Sequence, residues 1–87
     1  MDQDHPTWFV YIIQSMVTGR LYTGITTSTS RRLNEHNTSK RGAKATKAGR
    51  PWKIVHTESF PTKGDALCRE AAIKRLRRSD KILLAGI

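Results

Sequence analysis

Five residues of this sequence carry side chains able to handle protons and anions together. They are Tyr11 and Tyr22 in two strand-like stretches, Arg32 and His36 in RRLNEHN, and Glu70 in REAAIKRL. A phenol with its ordinary pKa of ~10 is a poor base at neutral pH, but neighbouring cations favour the phenolate. An imidazole titrates close to neutrality and can pass a proton onward. A guanidinium stabilises negatively charged oxygen, and a carboxylate holds a hard cation. Brought to one place, such a set suits acid–base chemistry on an anionic substrate.

Each member also has a plainer explanation. Arg32 and His36 are four residues apart, which puts them on one face of a helix, and an exposed polar face has the same spacing. Tyr11 and Tyr22 equally fit half-buried aromatic residues packed across two strands, with their hydroxyls in solvent. Further on, Ala66, Leu67, Ala71 and Ile73 form an apolar stripe at helical spacing, and Glu70 falls inside it. A carboxylate directed to the core side must pair with a cation or coordinate a metal. Lys74, four residues on, is a ready partner, and spacing alone favours that pairing, worth ~0.2–0.5 kcal/mol on an exposed helix.

The elements that would position these residues are legible from composition. Trp8 to Gln14 and Leu21 to Thr26 are rich in β-branched and aromatic residues, with Thr18-Gly19 between them, which predicts a β-hairpin. TTSTS supplies oxygen-bearing N-caps for a short helix over RRLNEHN. Ser39 to Arg50, with Lys40, Arg41, Lys44, Lys47 and Arg50 and little apolar material, predicts an exposed loop. Trp52, Ile54 and Val55 support a third strand ending at Phe60-Pro61. Thr62 with Asp65 fits a capping box opening a helix to about Leu76, and SDKILLA from Ser79 predicts a last short helix docked through Ile82, Leu83 and Leu84.

With 87 residues the chain is expected to be one domain, 1–87, with a core of about 7–85. Sixteen Lys and Arg against seven Asp and Glu give a net charge of +9. A domain this basic attracts polyanions through counterion release, so nucleic acid is the first partner expected. No apolar run approaches the ~18 residues of a membrane span and no signal pattern opens the chain, so no membrane partner and a cytoplasmic location are expected. Cys68 is the only cysteine, which excludes an intrachain disulfide and a thiolate zinc cluster; it reads as a small buried apolar residue. The histidines, His5, His36 and His56, lack metal-ligand spacing, which leaves room for a hard metal held by oxygen.

Taken together, VYI at residues 10–12, YTG at 22–24, RRLNEHN, KRGAK and EAAIKRL resemble the GIY-YIG nuclease domain, and most of all its small stand-alone bacterial members. The likeness runs from Trp8 to the final helix. It implies an α/β (α+β) fold: a three-stranded antiparallel sheet flanked by helices, in the order β-β-α-β-α-α. It also implies metal-dependent hydrolysis of phosphodiester bonds in DNA, structured or single-stranded. By the same resemblance the catalytic residues are Tyr11, Tyr22, Arg32 and His36, with either tyrosine open as the base. Glu70 is the residue implied to hold one Mg²⁺, or Mn²⁺ in its place. Lys44, Lys47, Arg50, Lys74, Arg75 and Arg78 are basic residues able to track a phosphate backbone, a contact that gives affinity rather than sequence choice. RNA stands as the other substrate, and substrate choice is expected to come from the domain itself or from a protein partner, since so short a chain has no room for a second DNA-binding domain. The alternative function is a nucleic-acid-binding module with this fold and little or no catalysis.

Overall fold

The structure is a computed structural model and describes residues 6–38 and 44–87. Strands β1 (Trp8–Ser15) and β2 (Leu21–Thr26) are followed by α1 (Thr29–Thr38), a four-residue turn of helix α2 (Lys44–Lys47), β3 (Trp52–Phe60), α3 (Lys63–Lys74) and α4 (Arg78–Ala85). The sheet is antiparallel in the order β2-β1-β3, so β1 is the central strand. Its run Val10, Tyr11, Ile12 and Ile13 is buried without alternation. An uninterrupted apolar run is what a strand covered on both faces requires.

The two faces carry different cores. Val10 and Ile12 pack with Ala66 and Ile73 of α3 and with Leu84 of α4, while Tyr11 and Ile13 pack with Trp52, Tyr22 and Leu33 of α1. A register shift opposite Ile12 and Ile13 pairs them with His56 and Ile54, so that one residue of β3, Val55, is extra. A bulge of this kind exchanges the faces to which the following side chains point. Glu58 lies opposite Val10 on the α3 face and there accepts from Arg69 at 2.8 and 3.0 Å and pairs with His56 at 2.7 Å.

The expected caps are present. Ser28 Oγ accepts from Arg31 N at the start of α1, and Thr62 Oγ1 accepts from Asp65 N at the start of α3. Gly86, with φ of 70°, ends α4 in the left-handed conformation that glycine adopts without steric cost.

Three expectations change. The stripe of α3 is narrower than apolarity suggests: Ala66 and Ile73 are buried, Leu67 and Ala71 are exposed, and the half-buried Arg69 and Glu70 complete the inward face at helical spacing. Cys68, two residues past Ala66 and so on the opposite side of the helix, is exposed rather than buried. Leu83 of α4 is also exposed, and the helix docks through Leu84.

The basic stretch differs as well. Ser39 to Ala43, including Lys40 and Arg41, lies outside the described residues, but the remainder is not a solvated loop, because Thr46 is fully buried. Hydrogen bonds stitch it down: Trp52 Nε1 donates to Thr46 O at 2.7 Å, Arg50 Nε to His36 O at 2.6 Å, and Ser15 Oγ to Gly49 O at 2.6 Å. Asn37 and Trp52 add a reciprocal pair through the amide of one and the backbone of the other, at 2.6 and 3.0 Å. Among the described residues, no helix is long and apolar enough to cross a membrane.

Candidate active site

Tyr11 and Tyr22 project from the same face of the hairpin. Tyr11 is directly opposite Gly24 and Tyr22 opposite Ile13, so the two phenols are diagonal neighbours, with ring centroids 6.5 Å apart. Tyr11 lies across β2 at Gly24: a Cβ at that position would sit 2.5 Å from the phenol oxygen and 2.7 Å from Cζ. The missing side chain of Gly24 is therefore the space that the Tyr11 ring occupies.

α1 covers this face and supplies the other two groups. His36 is fully buried, with its ring 5.7 Å from that of Tyr11 and 5.1 Å, edge-on, from that of Tyr22. Its Nε2 is 2.7 Å from the Tyr11 hydroxyl and its Nδ1 is 2.7 Å from Thr46 Oγ1. Arg32, one turn earlier, donates to Glu35 at 2.8 Å, and its guanidinium and the Tyr11 phenol act on one another electrostatically. A guanidinium has five N–H donors, so it can serve both partners and still offer a face to a ligand.

Electrostatics set the protonation of the pair. Burial pushes the Tyr11 phenol up to about 12, outweighing the lowering influence of Arg32, while the Tyr22 and Glu70 side chains act in the same upward direction. Arg32 favours the Tyr11 phenolate, as expected of a neighbouring cation, but desolvation of the phenolate is the larger effect here. Burial likewise pushes His36 down to about 4, and the charges of Arg32 and Arg50 push the same way. At neutral pH the site holds a phenol beside an uncharged imidazole.

Glu70 arrives from α3, on the other side of the sheet. Its carboxylate is half-buried and 3.1 Å from Lys74 Nζ, the ion pair that its spacing favours, yet it is near enough to act on the Tyr11 phenol. Among the described residues there is no group of three or more His, Cys, Asp or Glu able to cage a metal. One carboxylate is a donor set suited to a hard ion that keeps most of its waters, as Mg²⁺ does.

The six basic residues fall in two places. Lys44 and Lys47 are exposed on α2 beside the half-buried Arg50, which is turned to the carbonyl of His36. Lys74 and Arg75 end α3 and Arg78 opens α4, where its guanidinium donates to Gly19 O of the hairpin turn at 2.9 Å. Thr46 escaped the sequence reading because a single threonine between Ala45 and Lys47, in a cationic stretch, carries no periodic signal of burial.

Residues 7–82 match the model of the GIY-YIG catalytic domain. The chain is 46% identical over 80 residues to UPF0213 protein DP2720 of Desulfotalea psychrophila, covering 92% of this chain and 72% of that one. It is 43% identical over 74 residues to UPF0213 protein SAG0778 of Streptococcus agalactiae, covering 85% and 82% respectively. The solution structure of UPF0213 protein BH0048 from Bacillus halodurans is similar in fold, with a TM-score of 0.58, 38% identity and coverage of 92% of this chain and 83% of that one.

Proposed function

The chain belongs to the GIY-YIG nuclease family, and on that premise we propose that it is a divalent-metal-dependent endonuclease of DNA whose water-activating unit is the Tyr11–His36 pair. The observation that carries this reading is the 2.7 Å approach of the buried Tyr11 hydroxyl to the neutral His36 Nε2. With the phenol near 12, only about one Tyr11 in 10⁵ is a phenolate at pH 7. A free phenolate is too rare to serve as base. The phenol oxygen can take a proton from water only as its own proton passes to His36.

The remaining residues have roles that their placement supports. Arg32, held between Glu35 and Tyr11, faces the phosphoryl oxygens and stabilises charge that develops there. Tyr22, half-exposed on the same sheet face, orients the phosphate or the attacking water. Glu70 would hold a single Mg²⁺ or Mn²⁺, displacing Lys74, whose exposed ion pair contributes little. The ion, when bound, neutralises charge at the leaving oxygen.

Substrate binding follows from charge. Lys44, Lys47, Arg75 and Arg78 are exposed cations in a protein of net charge +9, and they give phosphate contacts without base readout. Such contacts suit selection by DNA form, structured or single-stranded, rather than by sequence. A second reading, a binding module without hydrolysis, is favoured by one observation, the Glu70–Lys74 pair, which gives the carboxylate a purely structural use. Incubation of labelled single-stranded, duplex, flapped and branched DNA, and of RNA, with Mg²⁺, Mn²⁺ or chelator separates the two. Cleavage that requires metal supports the nuclease; binding with no cleavage in any condition supports the module.

A further inference from the structure

We propose that Thr46 is a positioning residue that fixes the tautomer of His36, so that the imidazole meets Tyr11 with an unprotonated Nε2. Two contacts on opposite sides of one buried ring carry the inference: Tyr11 Oη at 2.7 Å from Nε2 and Thr46 Oγ1 at 2.7 Å from Nδ1. A neutral imidazole has one N–H, so one nitrogen donates and the other accepts.

The Tyr11 side decides which. Tyr11 is only 3% exposed, and the neighbouring Arg32 guanidinium, which acts on the phenol, is a donor with no acceptor to offer it. A buried phenol needs an acceptor for its own proton, and His36 Nε2 lies at the right distance to be that acceptor. If Nε2 accepts, the ring proton is on Nδ1 and is donated to Thr46 Oγ1.

Thr46 is built to receive it. The residue is fully buried, and its own carbonyl is tied to Trp52 Nε1 at 2.7 Å, while Asn37, the residue after His36, clamps the backbone of Trp52. The hydroxyl is thereby fixed relative to the helix that carries the imidazole. Without it, Nδ1–H is a buried donor with no partner at that position, and the ring gains by moving its proton to Nε2, where it would meet the Tyr11 oxygen as a donor. In that state His36 cannot take the phenol's proton.

The catalytic consequence rests on the reading of Tyr11–His36 as the water-activating pair, but the tautomer is measurable without any cleavage. The test is long-range ¹H–¹⁵N correlation NMR of the His36 ring at pH 7 in wild type, T46V and T46S, alongside cleavage of the best DNA substrate. The expected result is an Nδ1–H tautomer in wild type and T46S, a shift toward Nε2–H in T46V, and kcat lowered about 10–100-fold in T46V with KM unchanged and recovered in T46S. An Nε2–H tautomer in wild type overturns the proposal without reference to any variant, and so does an unchanged tautomer in folded T46V. If wild type cleaves nothing while the tautomer shifts as described, the positioning role of Thr46 stands and the nuclease reading fails.

Discussion

Gly24→Ala places one methyl group where the Tyr11 ring lies. The added Cβ would be 2.5 Å from the phenol oxygen, 2.7 Å from Cζ and 3.0 Å from Cε1. Carbon and oxygen atoms of neighbouring groups rest at roughly 3.5 Å or more, so the phenol must retreat by about 1 Å. The Tyr11–His36 hydrogen bond, now 2.7 Å, cannot keep its geometry through a shift of that size. Overpacking costs about 1–3 kcal/mol and a buried nitrogen whose hydrogen bond is disrupted costs up to a similar amount, so the variant should lose about 2–6 kcal/mol of stability. A displacement of about 1 Å in a catalytic group also costs on the order of 10²-fold in kcat. Urea unfolding gives the first figure and single-turnover cleavage the second. Gly64→Ala is the control, because its Cβ would meet only Thr62 Oγ1, at 4.0 Å, and in the first turn of α3 it should be neutral or stabilising by up to about 1 kcal/mol. Wild-type stability and cleavage in Gly24→Ala would refute the placement of Tyr11 against β2.

Other expectations follow from the same contacts. His36 is depressed to about 4 when folded and titrates near 6.5 when unfolded, so the unfolded chain binds the extra proton in between; stability is full above 6.5 and falls as pH drops, by about 2 kcal/mol at pH 5, seen as a lower urea midpoint. Ile73→Ala, in the core beneath α3, should cost about 2–5 kcal/mol in the same assay. Glu58→Gln loosens the two-pronged Arg69 contact on the α3 face and should cost about 1 kcal/mol while leaving cleavage unchanged. Lys44→Ala and Lys47→Ala should each weaken DNA binding and reduce the slope of log K against log salt by about 1 in fluorescence anisotropy, with the cleavage step itself unaffected.

Most of the frame was legible because its signals are local. The β-rich stretches around Thr18-Gly19, the caps Ser28 and Thr62, and the strand opening at Trp52 each declare themselves within a few residues. Arg32 and His36 share a helix face for reasons of periodicity alone, and the hairpin register puts Tyr11 and Tyr22 on one sheet face. What escaped depends on contacts distant in sequence. Thr46 is buried because Trp52 and His36 reach it across turns, and nothing in KATK announces that. Cys68 and Leu67 show the limit of reading apolar residues as inward-facing, since helix phase turns both out and brings Arg69 and Glu70 in. The Tyr11 phenol is pushed up because burial outweighs the Arg32 charge, and the extent of burial is not visible in the sequence.

The central claim is metal-dependent hydrolysis at the Tyr11, His36, Arg32 and Glu70 cluster, and its most direct test is Glu70→Ala in saturating Mg²⁺ on the DNA form that wild type cleaves best. Loss of cleavage with DNA binding and folding intact is the predicted result. Cleavage at the wild-type rate by folded Glu70→Ala would contradict it and leave Glu70 as the partner of Lys74 alone.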